Sequence, residues 1–355
     1  MLRFTEYPDE ELPYLSRRDV ITCCEAIDVC AVVEDALRQH ASGASILPDE
    51  ACLRWQTAEG MAARSLGMPG AVTVEERMRY GIKIINGSLA NPAKGIARSQ
   101  GFLMLFDPET AWPDLLMESA YVSAMRTAAV TMISARYLGN GPARNVALLG
   151  CGTLARAHLT LLLKEPHVLE SVRLFDTAPE RAAALARELK HASSDLTVVE
   201  ATGPEDCVRG ADLVVPVTTV TAGYLKPEWF ARGALITHVS LDDVLPDVVR
   251  AAGLVVVDDW NLVSHDRTRL LGRMYGQGAL RGPAGEYSDS EERDLSAPLV
   301  HTSLGEVVAG SHPGRTAPGD LVLCNPFGMA ILDVALGSAV ADAARDKGLG
   351  QLIQR

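Results

Sequence analysis

Aromatic side chains are scarce in this chain of 355 residues: phenylalanine, tyrosine and tryptophan together make up 5%, against thirty glycines. That balance suits an α/β enzyme better than an all-β sandwich. Excess positive charge is also missing. A formal net charge of -12 argues against nucleic acid or an anionic membrane as partner, because phosphate surfaces repel such a chain. No window holds the roughly 20 apolar residues of a membrane span. Paired cysteine spacing is absent as well. Cys23, Cys24, Cys30, Cys52, Cys151, Cys207 and Cys324 are odd in number and show no metal-ligand spacing. No metal is therefore expected, and reduced thiols in the cytoplasm are. The opening "MLRFTEYPDEELPYLSRRDV" is charged and lacks the apolar run of a signal peptide.

What is present is bulk: 48% hydrophobic residues over this length bury a large core and are expected to form two domains. Residues 19–40 read as one amphipathic helix, with Val20, Ala26, Ile27, Val32, Val33 and Leu37 near helical spacing. From 52 to 106, runs such as "CLRW", "GIKIIN" and "GFLMLF", split by Gly, Pro and Asn, predict a mostly antiparallel sheet. "SAYVSAMRTAAVTMISARYL" predicts a long helix ending at Gly139. The rhythm then changes. "RNVALLG", "SVRLFD", "LTVVEA", "DLVVPVT", "ALITHVS" and "LVVVDD" alternate with helical segments, which predicts a doubly wound parallel sheet. The expected class is thus α/β: a Rossmann sheet at 126–320, plus a second, α+β substrate and dimerisation domain at 1–125. A segment at 321–355 returns to the latter, its helix at 329–347.

Within this acidic chain, residues 77–106 contain Arg77, Arg79, Lys83, Lys94 and Arg98 and no acid at all. Arg77, Arg79 and Lys94 read as solvated surface charges; the others call for a reason.

"NVALLGCGTLARAHL" places Gly150, Gly152 and Ala155 in a G-x-G-x-x-A pattern at the end of an apolar strand. The first glycine allows the tight turn, the second lets the backbone approach a pyrophosphate, and Ala155 allows close helix–strand packing. Thr153 and Leu154 open the following helix, whose N-terminal N–H groups suit an anion. Asp176 ends the next strand at the distance the pattern expects, ready to accept from a ribose 2′-OH and to repel a 2′-phosphate. NAD is therefore expected rather than NADP.

The stretch "IKIINGSLANPAKGIARSQGFLMLFDPETAWPDLLMESAYVSAMRTAAVTMISARYL", with "HTSLGEVVAGSHPGR" and "NPFGMAILD", resembles the ornithine cyclodeaminase/mu-crystallin family. "LVVVDDWN", "SLDDV" and "LCNPFGMAI" look most like its NAD-dependent branch acting on N-(2-amino-2-carboxyethyl)-L-glutamate in 2,3-diaminopropionate biosynthesis. The resemblance implies Lys83 as active-site lysine, Arg126 and Arg54 as substrate-contacting arginines, and Asp243 as catalytic acid–base residue, with neighbouring Asp242 leaving the register open by one. Arg64 and Arg98 stand where a cyclodeaminase has glutamate and threonine. An amine-tailed substrate gains nothing from those two cations, whereas a guest with several carboxylates does. Thr218, Thr219 and Asn325 are expected near the nicotinamide, and a homodimer follows by resemblance. A cyclodeaminase, an alanine dehydrogenase, a ketimine reductase and a dinucleotide-dependent binding protein stay open as alternatives.

Overall fold

The computed structural model describes residues 11–164 and 169–354. The chain divides into two compact units. One holds the residues up to Arg126 and those from Met329 onward; the other is Thr127–Gly328.

The first unit is built on a sheet whose members are β1 (Glu11–Leu15), β2 (Ser45–Ile46), β3 (Ala51–Gln56), β4 (Ala62–Val74), β5 (Arg77–Ser88), β6 (Ser99–Phe106) and β7 (Pro113–Glu118). From β2 to β7 the pairing is antiparallel throughout, as the alternating runs predict. Met68, Lys83, Leu103 and Met117 stand abreast on β4, β5, β6 and β7. Side chains alternate along a strand, so these four share one face, and all four are buried.

One prediction needs correcting here. Residues 19–40 are not a single helix but two, Arg17–Ala26 and Val29–Ala41. Asp28 interrupts them: its carboxylate accepts the Ala31 N–H at 3.0 Å and starts a new helix, while Ile27 adopts an extended backbone.

The second unit is the Rossmann sheet, with members β8 (Asn145–Leu149), β9 (Ser171–Phe175), β10 (Thr197–Glu200), β11 (Leu213–Pro216), β12 (Leu235–Thr237), β13 (Leu254–Val257), β14 (Thr302–Ser303) and β15 (Val322–Cys324). Every pairing is parallel, in the order β10-β9-β8-β11-β12-β15-β13-β14. This is the doubly wound arrangement with β15 inserted between β12 and β13. The insertion moves the return point: Val322–Cys324 still belongs to this sheet, and the first unit resumes only at Met329. Its core runs through Leu149, Val214, Ile236, Val255 and Leu323.

The returning segment forms the helix Ala330–Lys347 and β16 (Gln351–Gln354), which pairs antiparallel with β1. This helix lies on the face that carries Lys83. Gly337 permits the approach, since a Cβ there would come within 2.2 Å of Leu103 Cδ2. Among the described residues no helix is long and apolar enough to cross a membrane.

Candidate active site

Lys83 points from β5 into the covered side of the sheet and is 1% exposed. Its Nζ donates to Asp333 Oδ2 at 2.6 Å and to Ser123 Oγ at 3.3 Å. Arg126, three residues after Ser123 on the helix Ser119–Leu138, donates from Nε to Asp333 Oδ1 at 3.3 Å. One buried carboxylate thus serves two cations. Burial lowers the Lys83 proton affinity to about 8; Arg126 adds to that, and Asp333 and Glu50 oppose it. Neither Asp333 nor Ser123 was anticipated. The available signal for Asp333 was a lone acid within "MAILDVALGSAV".

The remaining arginines form a second group. Arg54 pairs across β3–β4 with Arg64, and Arg64 with Gly87 on β5. Arg64 lies on the Lys83 face, four residues along β4 from Met68, or roughly 13 Å of strand. Arg98 precedes β6, and its Nε is buried without a hydrogen-bond partner. Burial and the Arg64 charge both lower its proton affinity. Arg54 is exposed, and Arg64 and Arg98 are half-buried. Asp333 thus joins Lys83 with Arg126, and Arg64 acts on Arg98, as two clusters on one unit. Lys94 pairs instead with Glu59 on the surface, whereas Arg79, expected to be a solvated charge, is half-buried and pairs with Asp342 at 3.3 Å.

In the second unit the turn after β8 has the geometry that the glycine pattern requires. Gly150 has φ +94, a conformation that favours glycine, and a Cβ there would lie 3.0 Å from Val217 O. Gly152 caps the helix Thr153–Leu162 without a side-chain hydrogen bond, and nothing lies within 4 Å of where its Cβ would be. Open space and free N–H groups at a helix start fit a pyrophosphate. Asp176 accepts from the Cys151 N–H at 2.8 Å and the Ala178 N–H at 2.9 Å, which fixes its carboxylate beside the turn. Burial pushes the Cys151 thiol up to about 12, so it stays protonated.

Beyond β12 a second polar cluster surrounds Asp243. Its Oδ1 accepts from Thr218 at 2.7 Å and Tyr224 at 2.9 Å, and its Oδ2 accepts from Ser240. His238 Nε2 accepts the Asp243 N–H at 3.1 Å. Burial would raise the Asp243 proton affinity, but His238 and the hydroxyls of Ser240 and Thr218 bring it below the usual carboxylate range. Tyr224, raised by burial and by the Asp243 charge, remains a phenol that donates. Asp242 is paired with Arg273 at 2.8 Å, which separates the two neighbouring acids. Asn325 donates to the His238 carbonyl at 2.7 Å, and Thr219 is exposed. Tyr224 and Ser240 were missed as members of this group, and His238, on an apolar strand, reads from sequence as a packed core residue.

The profile of the ornithine cyclodeaminase/mu-crystallin family matches residues 14–348, and the chain belongs to that family. N-((2S)-2-amino-2-carboxyethyl)-L-glutamate dehydrogenase of Staphylococcus aureus is 28% identical over 96% of this chain and 98% of its own. The crystal structure of CmnK is 38% identical, with TM-score 0.87, covering 98% of this chain and 99% of the other. An archaeal alanine dehydrogenase dimer with bound NAD shares the fold at 24% identity and TM-score 0.80, over 97% and 99% of the two chains. Together with the glycine turn and Asp176, these relatives make the chain an NAD-dependent oxidoreductase of the amino-acid type.

Proposed function

We propose that this enzyme oxidatively cleaves N-(2-amino-2-carboxyethyl)-L-glutamate to 2-oxoglutarate and L-2,3-diaminopropionate. The observation that carries this reading is the second arginine group. Cations held partly out of water are costly unless an anion meets them. Arg64 and Arg98 face each other's charge, and Arg98 Nε has no partner. A substrate with three carboxylates offers Arg126 one and the Arg54–Arg64–Arg98 group another. L-Alanine has one carboxylate and ornithine an amine tail, so neither gives that group a ligand.

Gly150, Gly152, Thr153, Leu154 and Asp176 hold NAD in this reading, with Thr218, Thr219 and Asn325 toward its nicotinamide. NAD bound there would supply the hydride acceptor for the glutamyl Cα–H, an oxidation that leaves the secondary amine as an imine. Hydrolysis of the imine then needs a proton removed from water and one delivered to the departing amine. Lys83, with its proton affinity near 8, is suited to both roles. Asp243, collared by three hydroxyls, is a weak base. The proton-accepting role expected of it therefore passes to Lys83, and Asp243 supplies fixed negative charge and orders Thr218, Tyr224 and Ser240.

The test is direct. Incubation with NAD and the tricarboxylate is expected to raise NADH absorbance and accumulate 2-oxoglutarate, with L-alanine inert. Ammonia and proline released from ornithine would overturn the assignment. The same reading includes a homodimer and a cytoplasmic setting.

A further inference from the structure

Asp333 sits in an otherwise apolar turn of the returning helix, among Ile331, Leu332, Val334 and Ala335, and is 0% exposed. A carboxylate in such surroundings is unfavourable unless its charge is matched. Its two oxygens engage different cations from different elements: Lys83 Nζ of β5 at 2.6 Å and Arg126 Nε of the helix Ser119–Leu138 at 3.3 Å. Ser123 Oγ accepts from both cations, at 3.3 and 3.5 Å. Three elements of the fold are thereby tied at one carboxylate.

We propose that Asp333 is a positioning residue of the reaction: it fixes Lys83 and Arg126 relative to each other and governs how tightly Lys83 keeps its proton. The inference rests on the acid–base role given to Lys83 and deepens it. The charged groups acting on Lys83 are Asp333 from the returning helix, Arg126 from the helix Ser119–Leu138, and Glu50 from the segment before β3. Asp333 and Glu50 hold the proton on; burial and Arg126 drive it off. Loss of the Asp333 charge leaves burial and Arg126 opposed by Glu50 alone. Asp333→Asn keeps the shape and one acceptor oxygen while removing that charge.

The experiment follows the titration of Lys83 itself, one of six lysines in the chain, by NMR of protein labelled at the lysine side chains. Lys83→Arg assigns the signal. In Asp333→Asn the Lys83 midpoint is expected to fall by about one pH unit or more, the size of shift a close opposite charge produces. In Arg126→Gln it is expected to rise, because a like charge is gone and Asp333 serves Lys83 alone. A midpoint unmoved or raised in Asp333→Asn overturns the proposal. Should that variant fail to fold, Arg126→Gln decides: a rise supports the proposal and no rise overturns it. The readout needs no turnover, so it stands even if the tricarboxylate proves not to be the substrate.

Discussion

At the scale of single residues, Arg98 links the charge pattern to a substrate. A guanidinium stays ionised even when burial and a neighbouring arginine oppose it, so Arg98 and Arg64 repel in the ligand-free protein. Arg98→Thr relieves that repulsion, and the urea midpoint is expected to hold or rise. Binding is expected to suffer. A hydrogen bond to a charged group contributes about 1.5–3 kcal/mol, which corresponds to roughly tenfold or more in the KM for the tricarboxylate. The KM for NAD should not change; equal losses for both ligands would make Arg98 a structural residue. Lys83 and Arg126 were singled out through the family resemblance, and the structure brings both to one carboxylate. Asp333 was not, since no spacing rule joins two residues 250 positions apart. Nor does the sequence show that Asp242 and Asp243 take different side-chain partners, an arginine for one and hydroxyls for the other.

At the scale of elements, periodicity made the strands and the long helices readable, because two-residue and helical repeats are local properties. Asp28 was harder to read: a carboxylate inside a helical pattern becomes a new N-cap only if the backbone turns there, and Ile27 does turn. β15 escaped for a different reason. "VLC" is three paired residues long, and its place between β12 and β13 is a tertiary choice that the sequence pattern does not carry. The contact between the returning helix and the sheet is the element that the chemistry depends on. Gly337 is one turn beyond Asp333, against Leu103, which stands abreast of Lys83. Gly337→Ala forces Leu103 or the helix to move, and overpacking of this kind costs about 1–3 kcal/mol. A lower urea midpoint together with reduced kcat/KM is the expected result. A lower midpoint with unchanged kcat/KM would mean that the Asp333 contacts tolerate the shift.

At the scale of the whole molecule, the other face of the first unit's sheet poses a physical problem. Alternation puts Leu53, Trp55, Ile84 and Phe102 opposite the Lys83 face, and each is exposed: 66%, 46%, 44% and 48% respectively. Tyr14 lies against Phe102, with ring centroids 6.3 Å apart, and extends the apolar area toward β1. Exposed apolar side chains gathered on one sheet face are unfavourable in water and mark an interaction site. A second copy of the chain is the occupant we propose: a sheet face packed on its own copy buries the same residues twice in one isologous interface. Phe102→Glu places a charge in the middle of that face while leaving the covered side, with Lys83 and Asp333, untouched. Sedimentation velocity is expected to show twice the chain mass for the wild type and a single chain for the variant, with far-UV circular dichroism unchanged. A variant that keeps the wild-type mass would show that copies associate through some other surface, and a wild type that sediments as one chain would leave the apolar face without the partner assigned to it.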